Sequence, residues 1–312
     1  MTPIICGIDV SSTHLDARIG PAGPHARFPS TPTGIKALAA FCRAHGATLA
    51  VMEATGGYER LPFALLWDEG IPATIANPRA VRRFAEAMGT LEKTDRLDAS
   101  VIAAFAQARR LQATPPPPSA QARLSALVTR LRQLTDARVV QANQRRLVSD
   151  PDVLASFAAV IAVLAREIRS LEGQISALIS ADPVWARLDA AFRAIKAVGN
   201  RTVARLMAAL PEIGTLDNKA IAKLAGLAPI ARDSGKLNGR RSIRGGRESV
   251  RSILFVVAEL VRRHNPDFAT FHQKLTQAGK PPKVVRVALA RKLLVQLNAK
   301  ARDARAELAV AT

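Results

Sequence analysis

Short apolar, β-branched runs in the first eighty residues predict five strands: Ile4 to Val10, Leu15 to Ile19, a short piece from Ala26 to Phe28, Leu49 to Met52, and Ala73 to Ala76. Between and after them the apolar spacing becomes helical over Thr33 to Ala44, Leu61 to Asp68, Pro78 to Met88 and Thr94 to Ala108. Pro78 suits a first helical turn, and Thr94 ahead of Asp95 has the form of an N-cap. The order is that of a mixed sheet with helices packed on it, an α/β domain spanning residues 1–111.

The pattern then changes. Pro115 to Pro118 form a run that no helix or central strand accommodates, and it reads as a hinge. Leu124, Leu127, Val128, Leu131 and Leu134 recur at helical spacing up to a break at Asp150-Pro151, and a second long helix follows from about Val153 to Ile179. Two long antiparallel helices, coiled-coil-like, make residues 112–182 an all-α connector suited to dimerisation or spacing. Residues 183–312 are mainly helical. Ile195 to Ala204 match a helix-hairpin-helix, in which a glycine turn at Gly199 offers backbone amides to a phosphate, flanked by Lys196 and Arg201. An ordinary helix turn with Gly199 as C-cap is the alternative. Ala231 to Arg247 form a Gly-rich basic loop with no apolar period to bury.

Charge sharpens this division. The 312-residue chain carries a formal net charge of +20, but residues 1–112 hold 12 Lys/Arg against 10 Asp/Glu, so nearly all the excess lies beyond them. Such an imbalance points to a nucleic-acid partner. Aromatics are 4% of residues, so backbone contacts rather than base stacking should carry affinity, with steep salt dependence. Cys6 and Cys42 lack metal or disulfide spacing and read as buried thiols in a reducing cytosol. The longest uncharged apolar stretch, Leu154 to Ala165, is too short for a bilayer, and no charged leader precedes Ile4, so a cytoplasmic protein without membrane attachment is expected.

Against this basic background stand four acids at predicted element ends. Asp9 closes the first strand, Glu53 follows the strand ending at Met52, and Asp95 and Asp98 share a helix face. If the two strands are neighbours and the helix crosses beside their ends, four oxygen donors surround one pocket, enough for one or two Mg²⁺ ions. Taken singly, Asp9 could hold a turn, and Asp95 and Asp98 could favour a helix N-terminus.

The strand-and-helix order resembles the ribonuclease-H-like fold in its Holliday-junction-resolvase form. The motifs Gly7-Ile8-Asp9-Val10, Glu53 to Tyr58, Lys93 to Ala99, Gly226-Leu227-Ala228-Pro229, Ser234-Gly235 and Gly245-Gly246-Arg247 resemble the DEDD transposases of insertion-sequence family 110, kin of the Piv-type invertases, over nearly the whole chain. That resemblance implies a recombinase using an element-encoded bridge RNA to pair with donor and target DNA. It implies Mg²⁺ on Asp9, Glu53, Asp95 and Asp98, and Ser234 as the nucleophile that becomes linked to a DNA phosphate. Lys236, Arg240, Arg241, Arg244 and Arg247 would then contact nucleic acid near the break. A serine far from the acids in sequence implies a composite site, and two strand exchanges imply a homodimer or homotetramer. Viewed alone, a Ser before Gly is ordinary turn chemistry, with Ser242 and Ser249 as substitutes and Ser11 and Ser12 less suited.

Other classes remain. Tyrosine recombination is disfavoured because Tyr58 is the single tyrosine and lacks an Arg-His-Arg setting, and an actin-like ATPase because no second phosphate loop is present. A Holliday-junction-type nuclease using water, and a noncatalytic nucleic-acid-binding protein, stay open.

Overall fold

Buried at every residue but Asp9, which is half-buried, Ile5–Val10 (β1) has the profile of a central strand. It pairs antiparallel with β2 (His14–Ile19), which pairs antiparallel with β3 (His25–Pro29). On its other side it runs parallel to β4 (Leu49–Glu53), followed by β5 (Ala73–Ala76), giving the sheet order β3-β2-β1-β4-β5. Tight turns join the antiparallel strands, whereas the parallel ones need crossovers, supplied by α1 (Pro32–Ala44) and α2 (Arg60–Asp68). Thr31 caps α1 by accepting from the Gly34 amide, with Pro32 in the first turn, and Asn77 and Pro78 open α3 (Pro78–Ala87) the same way. The structure is a computed structural model that describes residues 3–89, 95–231, 233–235, 239 and 241–311; the side chains of 95–97 and 309–311 also lie outside the description. The N-cap expected of Thr94 therefore falls outside the described residues.

Alternation along the strands builds two cores. Cys6, Ile8, Ala50 and Met52 pack with Ile35, Leu38 and Leu66 of α1 and α2 on one face. Ile5, Leu49 and Val51 pack on the other with Val81 of α3 and with Ile102, Ala103 and Ala106 of α4 (Asp95–Arg109). Cys6 and Cys42 are both free and buried. Hydrogen bonding to Cys42, then burial, pushes the Cys6 thiol well up, while the same bond holds Cys42 below its ordinary value.

The chain divides into two compact units after Pro117, so the proline run Pro115 to Pro118 sits at the division. The second unit is mainly helical: α5 (Ser119–Arg145), α6 (Pro151–Ala181), α7 (Pro183–Arg193), α8 (Asn200–Ala209), α9 (Asn218–Leu224), α10 (Glu248–His264), α11 (Pro266–Gln277) and α12 (Pro282–Ala311). An Asx side chain caps each of α6, α7 and α11 from the residue before a first-turn proline, at Asp150, Asp182 and Asn265, a start written directly in the sequence. Leu124, Leu131 and Leu134 of α5 join Ile168 and Ile175 of α6 and Leu289, Leu293 and Leu297 of α12 in one continuous core. The Gly-rich loop is flanked by a two-stranded ribbon, β6 (Pro229–Ile230) with β7 (Ser242–Ile243). Among the described residues no helix is long and apolar enough to cross a membrane.

Candidate functional site

Sheet register places the first two acids. Ile8 partners Met52 across the parallel pair, so Asp9 and Glu53 are each the next residue along neighbouring strands, Glu53 being the last residue of β4 rather than the first beyond it. Because Ile5 and Val51 face α4, alternation turns Asp9 and Glu53 to that face as well. Gly7, between Ile5 and Asp9, fixes where the helix crosses: a Cβ there would overlap the Ala99 carbonyl and crowd the Ala103 nitrogen. Stepping along β1 from Ile5 through Gly7 to Asp9 thus follows α4 from Ala106 through Ala103 and Ala99 toward its N-terminus, where Asp98 and Asp95 extend the same stripe. A 2.6 Å hydrogen bond from Ser100 Oγ to the Pro21 carbonyl ties that end of the helix to the turn between β2 and β3.

Asp9, Glu53 and Asp98 are half-buried, and the Asp95 side chain lies outside the description. Among the described residues, no three His, Cys, Asp or Glu side chains stand at metal-ligating spacing. The donor set is nonetheless of one kind: carboxylate oxygens, hard donors that suit Mg²⁺ and not a soft metal.

The sequence reading missed a fifth carboxylate. Asp16 is the antiparallel partner of Asp9, sharing its face, and is 1% exposed. Two acids directly opposite repel each other, and here the repulsion is offset from β2 and β3. Arg27 donates from Nε to Asp16 Oδ1 at 3.0 Å, with its Nη2 at 2.9 Å from Oδ2, and His25 Nε2 lies 3.1 Å from Oδ1. His14 Nε2 stands 3.5 Å from Oδ2. The signal was present in the alternation of His14, Asp16 and Arg18, but alternation alone cannot say that a helix covers the polar face.

In the second unit, Ser234 sits exposed in the loop between β6 and β7, followed by Gly235 at φ 55°. Lys236 and Arg240 lie outside the described residues; Arg241 and Arg244 are exposed, as is Ser249, while Ser242 lies in β7. Arg247 is engaged at the loop's base. It donates to both Glu212 carboxylate oxygens at 2.5 and 2.6 Å and to the Ala209 carbonyl at 3.1 Å, and its amide donates to Leu224 O. Arg251 donates to the Gly245 carbonyl at 2.7 Å, and Gly226 and Gly246 approach so closely that a Cβ on either would strike the other strand's backbone. Both ends of the serine loop are therefore fastened to the helical core, and its tip is not. Burial works to raise the Glu212 carboxyl, but the Arg247 hydrogen bonds hold it below its ordinary value. A carboxyl held low stabilises the fold above the ordinary carboxylate range, and that contribution is lost as pH falls through the folded value. Glu212→Gln should accordingly cost about 1 kcal/mol near neutrality, allowing for its partial exposure, and the gap to wild type should close on acidification, read from urea midpoints at both pH values.

The helix-hairpin-helix segment takes a form the sequence did not fix. Gly199 is the N-cap of α8 with an extended φ of −92°, not a C-cap, and the left-handed position is Ala197, at φ 76°. Lys196 and Gly199 are exposed, and Arg201 is paired with Glu172 at 2.5 Å. Ala in the left-handed region is strained where Gly is not. Ala197→Gly should stabilise the protein by about 1 kcal/mol, seen as a raised denaturation midpoint.

An α/β unit with carboxylates gathered at one end of its sheet, joined to a basic helical unit with a tethered, exposed loop, has the make-up of an enzyme acting on DNA. The family comparisons make that class specific. A model described as "Transposase", for DEDD transposases of the IS110 type, matches residues 6–148, and one described as "Transposase IS116/IS110/IS902 family" matches residues 189–273, together well over half of the chain. The chain belongs to the IS110 transposase family. Among its relatives are the pilin gene-inverting proteins of Moraxella bovis and Moraxella lacunata, each 26% identical over 305 residues covering 94% of both chains. An insertion element IS110 uncharacterized 43.6 kDa protein of Streptomyces coelicolor is 30% identical over 154 residues, 48% of this chain and 37% of that one. The Thermus thermophilus RuvC structure is 17% identical with a TM-score of 0.26, covering 36% of this chain and 99% of that one.

Proposed function

We propose that this transposase cuts and rejoins DNA by phosphoryl transfer, with Asp9, Glu53, Asp95 and Asp98 holding Mg²⁺ and Ser234 as the nucleophile. The observation that carries the reading is the register of β1 with β4 together with the crossing of α4 over Gly7, which brings all four positions to one end of one sheet face. Bound there, Mg²⁺ supplies Lewis-acid stabilisation of charge on the phosphate. The serine hydroxyl loses its proton to solvent as its oxygen bonds phosphorus, the bond to the leaving sugar oxygen breaks, and that oxygen takes up a proton. Rejoining runs the same step backwards with a DNA hydroxyl as nucleophile, so the bond energy is kept in the protein–DNA ester. Arg241 and Arg244, exposed beside the loop's end, neutralise phosphate charge near the break, and Lys196, Gly199 and Arg201 grip the backbone further away.

The proposal extends to organisation. Residues 1–111 act as a ribonuclease-H-like catalytic domain of resolvase type, residues 112–182 as connector, and residues 183–312 as the domain that delivers Ser234. The protein works in the cytoplasm as a homodimer or homotetramer, guided by an element-encoded bridge RNA that pairs with donor and target DNA while the protein reads duplex shape and charge.

The test is covalent trapping: full-length protein, element-encoded RNA, Mg²⁺ and end-labelled donor and target DNA on a denaturing gel, beside Ser234→Ala. A protein-linked DNA band absent from the variant is the expected result. Cleavage that persists in Ser234→Ala with no linked band would assign the attack to water.

A further inference from the structure

Helix α5 carries a line of arginines that neither the acidic site nor the serine loop uses. Arg123, Arg130, Arg138 and Arg145 recur at seven- and eight-residue steps, and at 3.6 residues per turn they fall within an arc of about 80°. Arg123, Arg130 and Arg145 are exposed, and Arg138 is half-buried between them. The helix contains one acid, Asp136, and it lies on the far flank with Arg132, where both act on Arg205 of α8. Among the described residues none of the four stripe arginines is in an ion pair, and the polar contact of Arg130 is a 3.3 Å hydrogen bond to the neutral Gln133 side chain. This differs from Arg201 and Arg247, whose charges are already answered by Glu172 and Glu212.

We infer that this flank of α5 is a docking track for the phosphate backbone of a nucleic-acid duplex. A guanidinium every 10 to 12 Å along a straight rod of about 33 Å matches in length roughly one turn of B-form duplex. A line of cations without interspersed acids has no internal neutralisation, so its favourable partner is an extended polyanion. Guanidinium groups donate to phosphate oxygens in a fixed fork, and a helix holds each fork at a set rise, so the track reads backbone and not sequence. The inference rests on the nucleic-acid reading of the basic second unit and deepens it by assigning a surface.

The experiment compares full-length wild type with Arg123→Gln/Arg130→Gln/Arg145→Gln and with a control of equal charge loss off the track, Arg132→Gln/Arg166→Gln/Arg169→Gln. Binding of a labelled DNA duplex and of an RNA hairpin of equal stem length is measured by anisotropy over a range of salt concentrations, with helicity checked by circular dichroism. Each lost phosphate contact removes about 0.9 from the slope of log K against log salt on B-form DNA. The track variant should therefore lose close to three units of slope while the control stays near wild type. A loss on DNA alone, on RNA alone or on both supports the track and assigns its duplex. A steep wild-type slope that the track variant retains, or that the control loses equally, overturns the track but not nucleic-acid binding. A shallow wild-type slope on both probes overturns the nucleic-acid reading itself, and the track with it.

Discussion

Asp9→Asn should lower Mg²⁺-dependent strand cleavage by about 10³-fold or more, equivalent to about 4 kcal/mol of transition-state stabilisation, while leaving nucleic-acid affinity within a few-fold of wild type. Asparagine keeps the shape of aspartate and one oxygen but removes the charge that would hold a hard cation. Asp9 suits this experiment because its position on β1 separates chemistry from folding. Its antiparallel partner is Asp16, so neutralising Asp9 relieves a like-charge opposition rather than creating one, and the melting temperature should stay within a few degrees. Cleavage is measured as single-turnover release of end-labelled product, and Mg²⁺ affinity by calorimetry on the same preparations. Unchanged cleavage at saturating Mg²⁺ would remove Asp9 from the metal set. Cleavage lost together with the thermal transition would make Asp9 a folding residue instead.

How much of this could be read from the chain depends on the range of the interactions. The strands and helices of the first unit were legible because each is announced locally, by apolar runs and by caps such as Thr31 with Pro32 and Asn77 with Pro78. The end of the sheet to which Asp9 and Glu53 belong was legible too, since a two-residue period fixes the face once a register is assumed. Asp16 was not, because His14, Asp16 and Arg18 look like the solvent side of an edge strand until α4 is laid over them. In the second unit the ribbon of β6 and β7 has two residues per strand, too few for any period to register. Arg247 was read as a phosphate contact from its basic neighbourhood, but its carboxylate partner, Glu212, lies 35 residues earlier and meets it only through the packing of α8 and α9 against the loop. The left-handed turn falls on Ala197, where no glycine announces it.

The acidic end of the sheet depends on a contact with no chemistry of its own, and this sets the other large effect. Gly7→Ala should destabilise the first unit by about 3 kcal/mol or more, because the added methyl overlaps main-chain atoms of α4, the Ala99 carbonyl foremost, and not the end of a side chain that could rotate away. The strand cannot yield either: Gly7 is paired with Arg18 of β2 and Val51 of β4. Relief must come from the helix, which would lift from β1 and uncover Ile102, Ala103 and Ala106. As α4 also carries Asp95 and Asp98, the same displacement would draw two carboxylates away from the two on the sheet. A stabilised background, such as one carrying Ala197→Gly, then separates the effects: if it restores the thermal midpoint, cleavage should remain depressed and should need higher Mg²⁺ for half-maximal rate. A Gly7→Ala variant with wild-type midpoint and wild-type Mg²⁺ dependence would show that α4 does not cross β1 at Gly7. The placement of Asp95 and Asp98 beside Asp9 would fall with it.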